Sequence, residues 1–224
     1  MNPILKKSLF WGSFLIVIAL IIWGMIAANA KSAAVTANGG ITPIALSHPL
    51  SSADWTQGSS SAPVTLVEYA DFQCPACATY SPVIKKILAE EADKIYFGYR
   101  YFPLPQHANA LSSAYAATAA GLQGKFWEMH DLLFTNQTAW QDVADPTSLF
   151  VGYATSLSLD KAKFLADMSS DAVKARVAAG RDDATASGLD YTPTLFLNGK
   201  RIANPKNYEE FKALIDAAFT ASHS

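Results

Sequence analysis

The sequence predicts an α/β fold: a mixed sheet interrupted by a long helical insertion, preceded by an apolar N-terminal segment. Three observations carry that prediction. An apolar, β-branched stretch, Val64 to Asp71, runs into Cys74-Pro75-Ala76-Cys77 and then into an amphipathic helical pattern. About eighty residues after the next strand read as almost wholly helical. A late Thr192-Pro193 opens a short strand, a turn and a second short strand before a closing helix.

Taken in order, residues 1–8 are polar and carry Lys6 and Lys7. Residues 9–28 have no charge and are rich in Ile, Leu, Val, Phe and Trp. As a helix such a run spans about 30 Å, the thickness of a bilayer core. Lysines before it favour a cytoplasmic N-terminus. Ala28-Asn-Ala30 also has the small-x-small form of a cleavage site, so the segment reads as a transmembrane anchor or a signal peptide. Either exports the remainder. Residues 29–61 are rich in Ala, Ser, Gly, Thr and Pro, show no sustained period, and read as a linker in which Leu46, Leu50 and Trp55 could touch the domain edge. The formal net charge is −2, and no basic cluster suggests nucleic acid.

The folded domain is expected over 62–222. Val64 to Asp71 is its first strand. Residues 78–92 follow as a helix with Tyr80, Val83, Ile84, Ile87 and Leu88 on one face. Residues 94–102 form the second strand, closed by Pro103 and Pro105. The helical insertion covers about 107–188: an Ala-rich helix over 108–122, one over 125–134 with Phe126, Met129, Leu133 and Phe134 aligned, and further helices from Pro146, Asp160 and Asp171. Gly188 suits a helix C-cap. Residues 194–197 and 200–203 are strands joined by Asn198-Gly199, a strong hairpin signal, and 208–219 closes the chain as an amphipathic helix. No internal repeat is apparent.

Cys74 and Cys77 are the only cysteines. Cys74 falls at or near a helix N-terminus, where unpaired N–H groups and the helix dipole favour a thiolate, the species that attacks disulfides. Pro75 suits an early helical position because its missing N–H would have had no partner there. Cys77, one turn inward, is the more shielded resolving thiol. Structural zinc commonly takes four Cys or His ligands, and the histidines His48, His107, His130 and His223 offer no such set. His107 and His130 read as packed or capping residues. Glu68, six residues before Cys74 on an otherwise apolar strand, is either an edge carboxylate or a buried acid behind Cys77.

The segment Val67-Glu-Tyr-Ala-Asp-Phe-Gln-Cys-Pro-Ala-Cys77, with Phe102-Pro-Leu-Pro-Gln-His107, residues 124–134 and residues 191–200, resembles the DsbA-like branch of the thioredoxin superfamily, the bacterial disulfide oxidoreductases. The resemblance implies a thioredoxin fold with a helical insertion, and an enzyme exchanging disulfides through the Cys74–Cys77 pair. It implies that Glu68 relays the Cys77 proton, and that Pro193 is cis and faces the cysteines. Thr192 would then offer its backbone to a substrate chain, with Pro75 and Ala76 tuning the pair. The well-known DsbA enzymes carry a histidine where this chain has Ala76. The implied partners are cysteine-containing exported proteins and a redox partner. The redox disulfide serves in place of a metal or organic cofactor. An oxidase is the leading expectation. A reductase or isomerase is the first alternative, and a copper-handling protein using two soft thiolates is the second.

If residues 31–224 are exported, protease added to spheroplasts should degrade them while residues 1–8 stay protected. A protected catalytic domain would overturn export, and a mature N-terminus at Lys31 would show cleavage in place of an anchor.

Overall fold

The computed structural model describes residues 44–222. The expected span 9–28 lies outside them, and among the described residues no helix is long and apolar enough to cross a membrane. Five strands form one sheet: β1 Trp55–Gln57, β2 Val64–Ala70, β3 Ile95–Tyr101, β4 Thr194–Leu197 and β5 Lys200–Ile202, in the order β1-β3-β2-β4-β5. β2 and β3 are parallel and the other pairs antiparallel. The parallel pair needs a crossover, supplied by α1, Pro75–Glu90. The β4–β5 hairpin turns through Asn198 and Gly199, both at positive φ, as the Asn-Gly dipeptide predicts.

Side-chain alternation sorts β2 between two cores. Leu66 and Ala70 join the main core with α1, while Val67 and Tyr69 join a smaller cluster with Phe196, Ala184 and Leu189 on the opposite face. Glu68 shares its parity with Leu66 and Ala70, so it points toward α1.

Between β3 and β4 lie α2 Ala110–Gly121, α3 Phe126–Thr135, α4 Gln137–Trp140, α5 Thr147–Ser156, α6 Lys161–Ser169 and α7 Asp171–Ala186. The Ala-rich α2 is the hub of this insertion. Ala114, Ala116, Ala117, Ala119 and Ala120 are all buried, and their small side chains let neighbouring helices approach closely. Gly188 follows α7 at φ 68°, the left-handed conformation expected of a helix-ending glycine. The closing helix α8, Tyr208–Ala221, is capped by Asn207, whose side chain accepts from Glu210 N at 2.8 Å.

The linker expected over 29–61 takes a different form in its described part. Residues 44–46 pair with the β5 hairpin through Leu46 N to Gly199 O and Arg201 N to Ile44 O. The chain then crosses the sheet, with Leu46 and Leu50 packed in the smaller core, and ends in β1 at the opposite edge. Leu50 lies over Gly98, where an added Cβ would fall 2.1 Å from Leu50 Cδ2. Asp54 locks this strap: its carboxylate accepts from Arg100 Nε at 2.7 Å, and both side chains are buried. Trp55 stacks on Phe126 at 4.3 Å between centroids and donates to Tyr101 Oη at 2.8 Å.

Removing one partner of a buried ion pair strands the other charge. Asp54→Ala should therefore lower the unfolding free energy by about 3 kcal/mol, measured by urea titration. An unchanged midpoint would mean that Asp183, 3.5 Å from Arg100, suffices alone.

Candidate active site

The site is built where β2 ends and α1 begins. Cys74 is the N-cap residue of α1, with extended backbone (φ −71°, ψ 121°), and Pro75 follows at the start of the helix. The loop between β2 and α1 is held by its own polar groups. Cys74 N donates to Asp71 O, and the buried Asp71 carboxylate accepts from Gln73 N at 2.8 Å, Leu104 N at 2.9 Å and His107 Nδ1 at 2.7 Å. Gln137 donates from Nε2 to Phe72 O at 2.7 Å and to Cys74 O at 3.0 Å. Gln73 donates to Gln141 O and accepts from Asn109 N. The insertion thus clamps the cysteine loop through α4 and the start of α2.

Cys74 and Cys77 are present as thiols, 6 % and 0 % exposed. Pro75 and Ala76 are exposed beside them. The Thr192–Pro193 bond is cis, as expected, and the Cys74 thiol donates to Thr192 O at 3.4 Å. Pro193 is buried at the start of β4. The structure therefore brings together Cys74, Cys77, Thr192, Pro193, Pro75 and Ala76, with Glu68 buried behind them.

The two thiols are driven apart electrostatically. A hydrogen bond from Cys77, opposed by burial and reinforced by Thr192 and by the backbone N–H groups of Cys77 and Ala76, holds the Cys74 pKa at about 5. Thr192 acts on Cys74 in two senses. Its carbonyl accepts from the protonated thiol, whereas its side chain favours the thiolate. Burial, the bond to Cys74 and the charge of Glu68 push Cys77 well above the ordinary thiol range. Glu68 is 2 % exposed, and its Oε1 has no hydrogen-bond partner. Burial, then the charge of Cys74, raises its pKa to about 8. A carboxyl that changes protonation near neutrality beside a shielded thiol can give and take the proton that thiol needs.

Among the described residues no group of three or more His, Cys, Asp or Glu is placed to hold a metal ion. Sequence reasoning missed the clamp of Asp71, Gln73, Asn109 and Gln137. Gln137 lies in a helix of four residues, too short for a hydrophobic period to register. His107, expected to be packed or capping, caps no helix: its Nδ1 is tied to the Asp71 carboxylate. His130 is packed in an aromatic cage.

A family model described as thioredoxin matches residues 51–217. The chain is 39% identical over 170 residues to a Na(+)/H(+) antiporter NhaA 3 of Salinispora tropica, an alignment covering 75% of this chain and 25% of that protein. It thus spans about a quarter of the length of the curated relatives it matches. Among solved structures, oxidised BdbD from Bacillus subtilis superposes with a TM-score of 0.68 at 24% identity, covering 79% of this chain and 98% of that one. The alpha-DsbA1 of Wolbachia pipientis gives 0.70 at 21% identity, covering 79% and 96%. Both likenesses show the fold.

Opposed shifts leave a signature in stability. Folded Glu68 keeps its proton to about pH 8, while an unfolded chain loses it near 4.5, so unfolding releases a proton in that window and this group lowers stability as pH rises. Folded Cys74 ionises at about 5 against an ordinary 9, so unfolding takes up a proton and this group raises stability as pH rises. Between pH 5 and 8 the two offset in the reduced protein. Reduced Glu68→Gln should instead gain stability with pH, by up to about 1.4 kcal/mol per unit, in urea titrations under reductant. Parallel profiles for the two proteins would contradict the Glu68 assignment.

Proposed function

We propose that this chain, which belongs to the thioredoxin family, is a DsbA-like, extracytoplasmic, membrane-tethered thiol:disulfide oxidoreductase that forms disulfides in exported proteins. The observation that carries the oxidising direction is the stabilised Cys74 thiolate. A thiolate favoured in the dithiol form stabilises that form, and a stable reduced form makes its disulfide a better oxidant.

In this reading a substrate thiolate attacks Cys74 Sγ of the Cys74–Cys77 disulfide. A substrate–Cys74 disulfide forms as the Cys74–Cys77 bond breaks, and Cys77 leaves as a thiolate that takes the proton of neutral Glu68. The second substrate thiolate then attacks the substrate sulfur of the mixed disulfide, and Cys74 leaves as its stabilised thiolate. The substrate has lost two electrons and the enzyme has gained them. A redox partner must accept those electrons to restore the disulfide. The backbone of Thr192, next to Cys74 and ahead of the buried Pro193, is the group we assign to pairing with the substrate chain. Pro75 and Ala76, exposed beside Cys74, form the rim the substrate meets. Relatives named as ion antiporters support a membrane setting for this domain, in agreement with residues 9–28 as its anchor.

Equilibration with glutathione tests the direction. The Cys74 pKa of about 5 lies between the approximate values of thioredoxin, about 7, and DsbA, about 3.5. The potential should correspondingly fall between about −270 and −120 mV. A potential at or below the thioredoxin end would assign a reductase instead. Ala76→His adds a donor and potential positive charge beside Cys74. It should lower the Cys74 pKa by about one unit and make the protein more oxidising by about 30 mV, read from thiolate absorbance and the same equilibrium.

A further inference from the structure

His130 has no part in the chemistry described above, yet it is buried within reach of it. Its ring is caged by Phe72, Tyr99, Trp127 and Phe134, with centroid separations from 4.9 to 5.6 Å. Its Nδ1 lies 3.1 Å from Asp131 Oδ1, and its Nε2 is buried with no hydrogen-bond partner. Glu68 Oε1 is in the same condition. The two side chains line one cavity of about 240 Å³, bounded also by Ser81, Lys85, Trp127 and Asp131. Lys85 and Asp131, ion-paired with each other, are the charged members of that lining that solvent reaches.

We propose that His130 is a positioning residue for proton exchange between solvent and Glu68, holding water in this cavity and passing protons between it and the Asp131 side. The inference rests on the reading of Glu68 as the proton partner of Cys77. Asp131 accepts from Nδ1–H, which leaves Nε2 as an acceptor facing the cavity. Two unsatisfied polar atoms on the wall of a cavity of this size make a site of the kind that holds water.

During reoxidation of the enzyme by a disulfide, Cys74 first attacks and forms a mixed disulfide. Neutral Glu68 then yields its proton through the cavity water to His130 Nε2, and the transient imidazolium, which burial disfavours and Asp131 holds, passes a proton to solvent. The Glu68 carboxylate next takes the proton of Cys77. Cys77 attacks Cys74 Sγ and expels the other thiolate, leaving the oxidised enzyme with neutral Glu68. Substrate oxidation runs the same path inward and reprotonates Glu68. The other groups facing this path are Cys74 at the N-cap of α1, Cys77 and Lys85 from α1, and Tyr99 from β3, which burial keeps neutral. Among the described residues only Asp131 hydrogen-bonds an imidazole nitrogen of His130.

The test uses the reduced full-length protein and saturating oxidised glutathione, so that attack by Cys77 limits the rate. His130→Phe keeps the aromatic packing and removes both nitrogens. His130→Gln keeps a polar side chain that cannot take a proton, and it guards against a folding defect in the first variant. Both should react about tenfold more slowly at pH 7, with rates that rise with the concentration of a small buffer, whereas the wild-type rate stays flat. The Cys74 thiolate titration and the glutathione equilibrium should not move. Wild-type rates in both variants, or a Cys74 titration that shifts along with the rate, would overturn the relay while leaving the proposed activity intact. A wild-type protein that fails to exchange with glutathione would overturn both.

Discussion

A sulfur anion at the N-terminus of α1 is the constraint around which this molecule is arranged. The charge on Cys74 has to be supported while the sulfur stays open to another protein, and few groups can be spared for it. Backbone N–H groups at a helix start are fixed, unpaired and directed at the sulfur without any side chain. The end of β2 and the Asp71 turn set where that helix starts. Gln137 holds the carbonyl of Cys74, so the last residue before the helix cannot swing away. In this sense the helical insertion belongs to the active site: it contributes no reacting atom, but it fixes the geometry in which the thiolate is favoured.

The same charge explains the polar residue buried in β2. Cys74, Cys77 and Glu68 share a space too poor in solvent for three anions, so one ionises readily and the other two retain their protons. Among the described residues no cation forms an ion pair with Glu68, and its Oε1 lacks a hydrogen bond. A purely structural acid in such a place would be a net cost to the fold. An acid whose proton is needed each time Cys77 changes state has a reason to bear that cost.

Much of this was legible in the sequence because its signals are local. The strand, cysteine motif and helix succeed one another within thirty residues, and Asn198-Gly199 and Gly188 mark their own backbone conformations. The face taken by Glu68 is not legible in this way, because apolar residues occupy both sides of β2. The strap escaped because its signals are not local. Its Ala, Ser and Pro content is that of a tether, and what orders it are partners far along the chain: Arg100 for Asp54, Gly98 for Leu50 and the β5 hairpin for Leu46. The clamp on the cysteine loop was hidden likewise, since nothing local marks Gln137 or Asn109 as partners of residues more than thirty positions away.

The course of that strap separates attachment from exchange. The described chain enters at the β5 edge and crosses the face that carries Val67, Tyr69 and Phe196, opposite the one that carries α1 and Cys77. The strap bonds to Arg100, Asp183, Arg176, Gly199 and the aromatic edge of β3, and among the described residues none of its hydrogen bonds reaches Cys74, Thr192 or Glu68. A domain fastened on one face and reactive on the other can be joined to different N-terminal segments without disturbing its thiols. That independence fits a fold found here after an apolar stretch of sequence, residues 9–28, and matched elsewhere by about a quarter of much longer antiporter chains. The sheet supplies the insulation: β2 places Glu68 and the cysteine loop toward the helices, and its next side chain, Tyr69, faces the strap and its Arg100 lock.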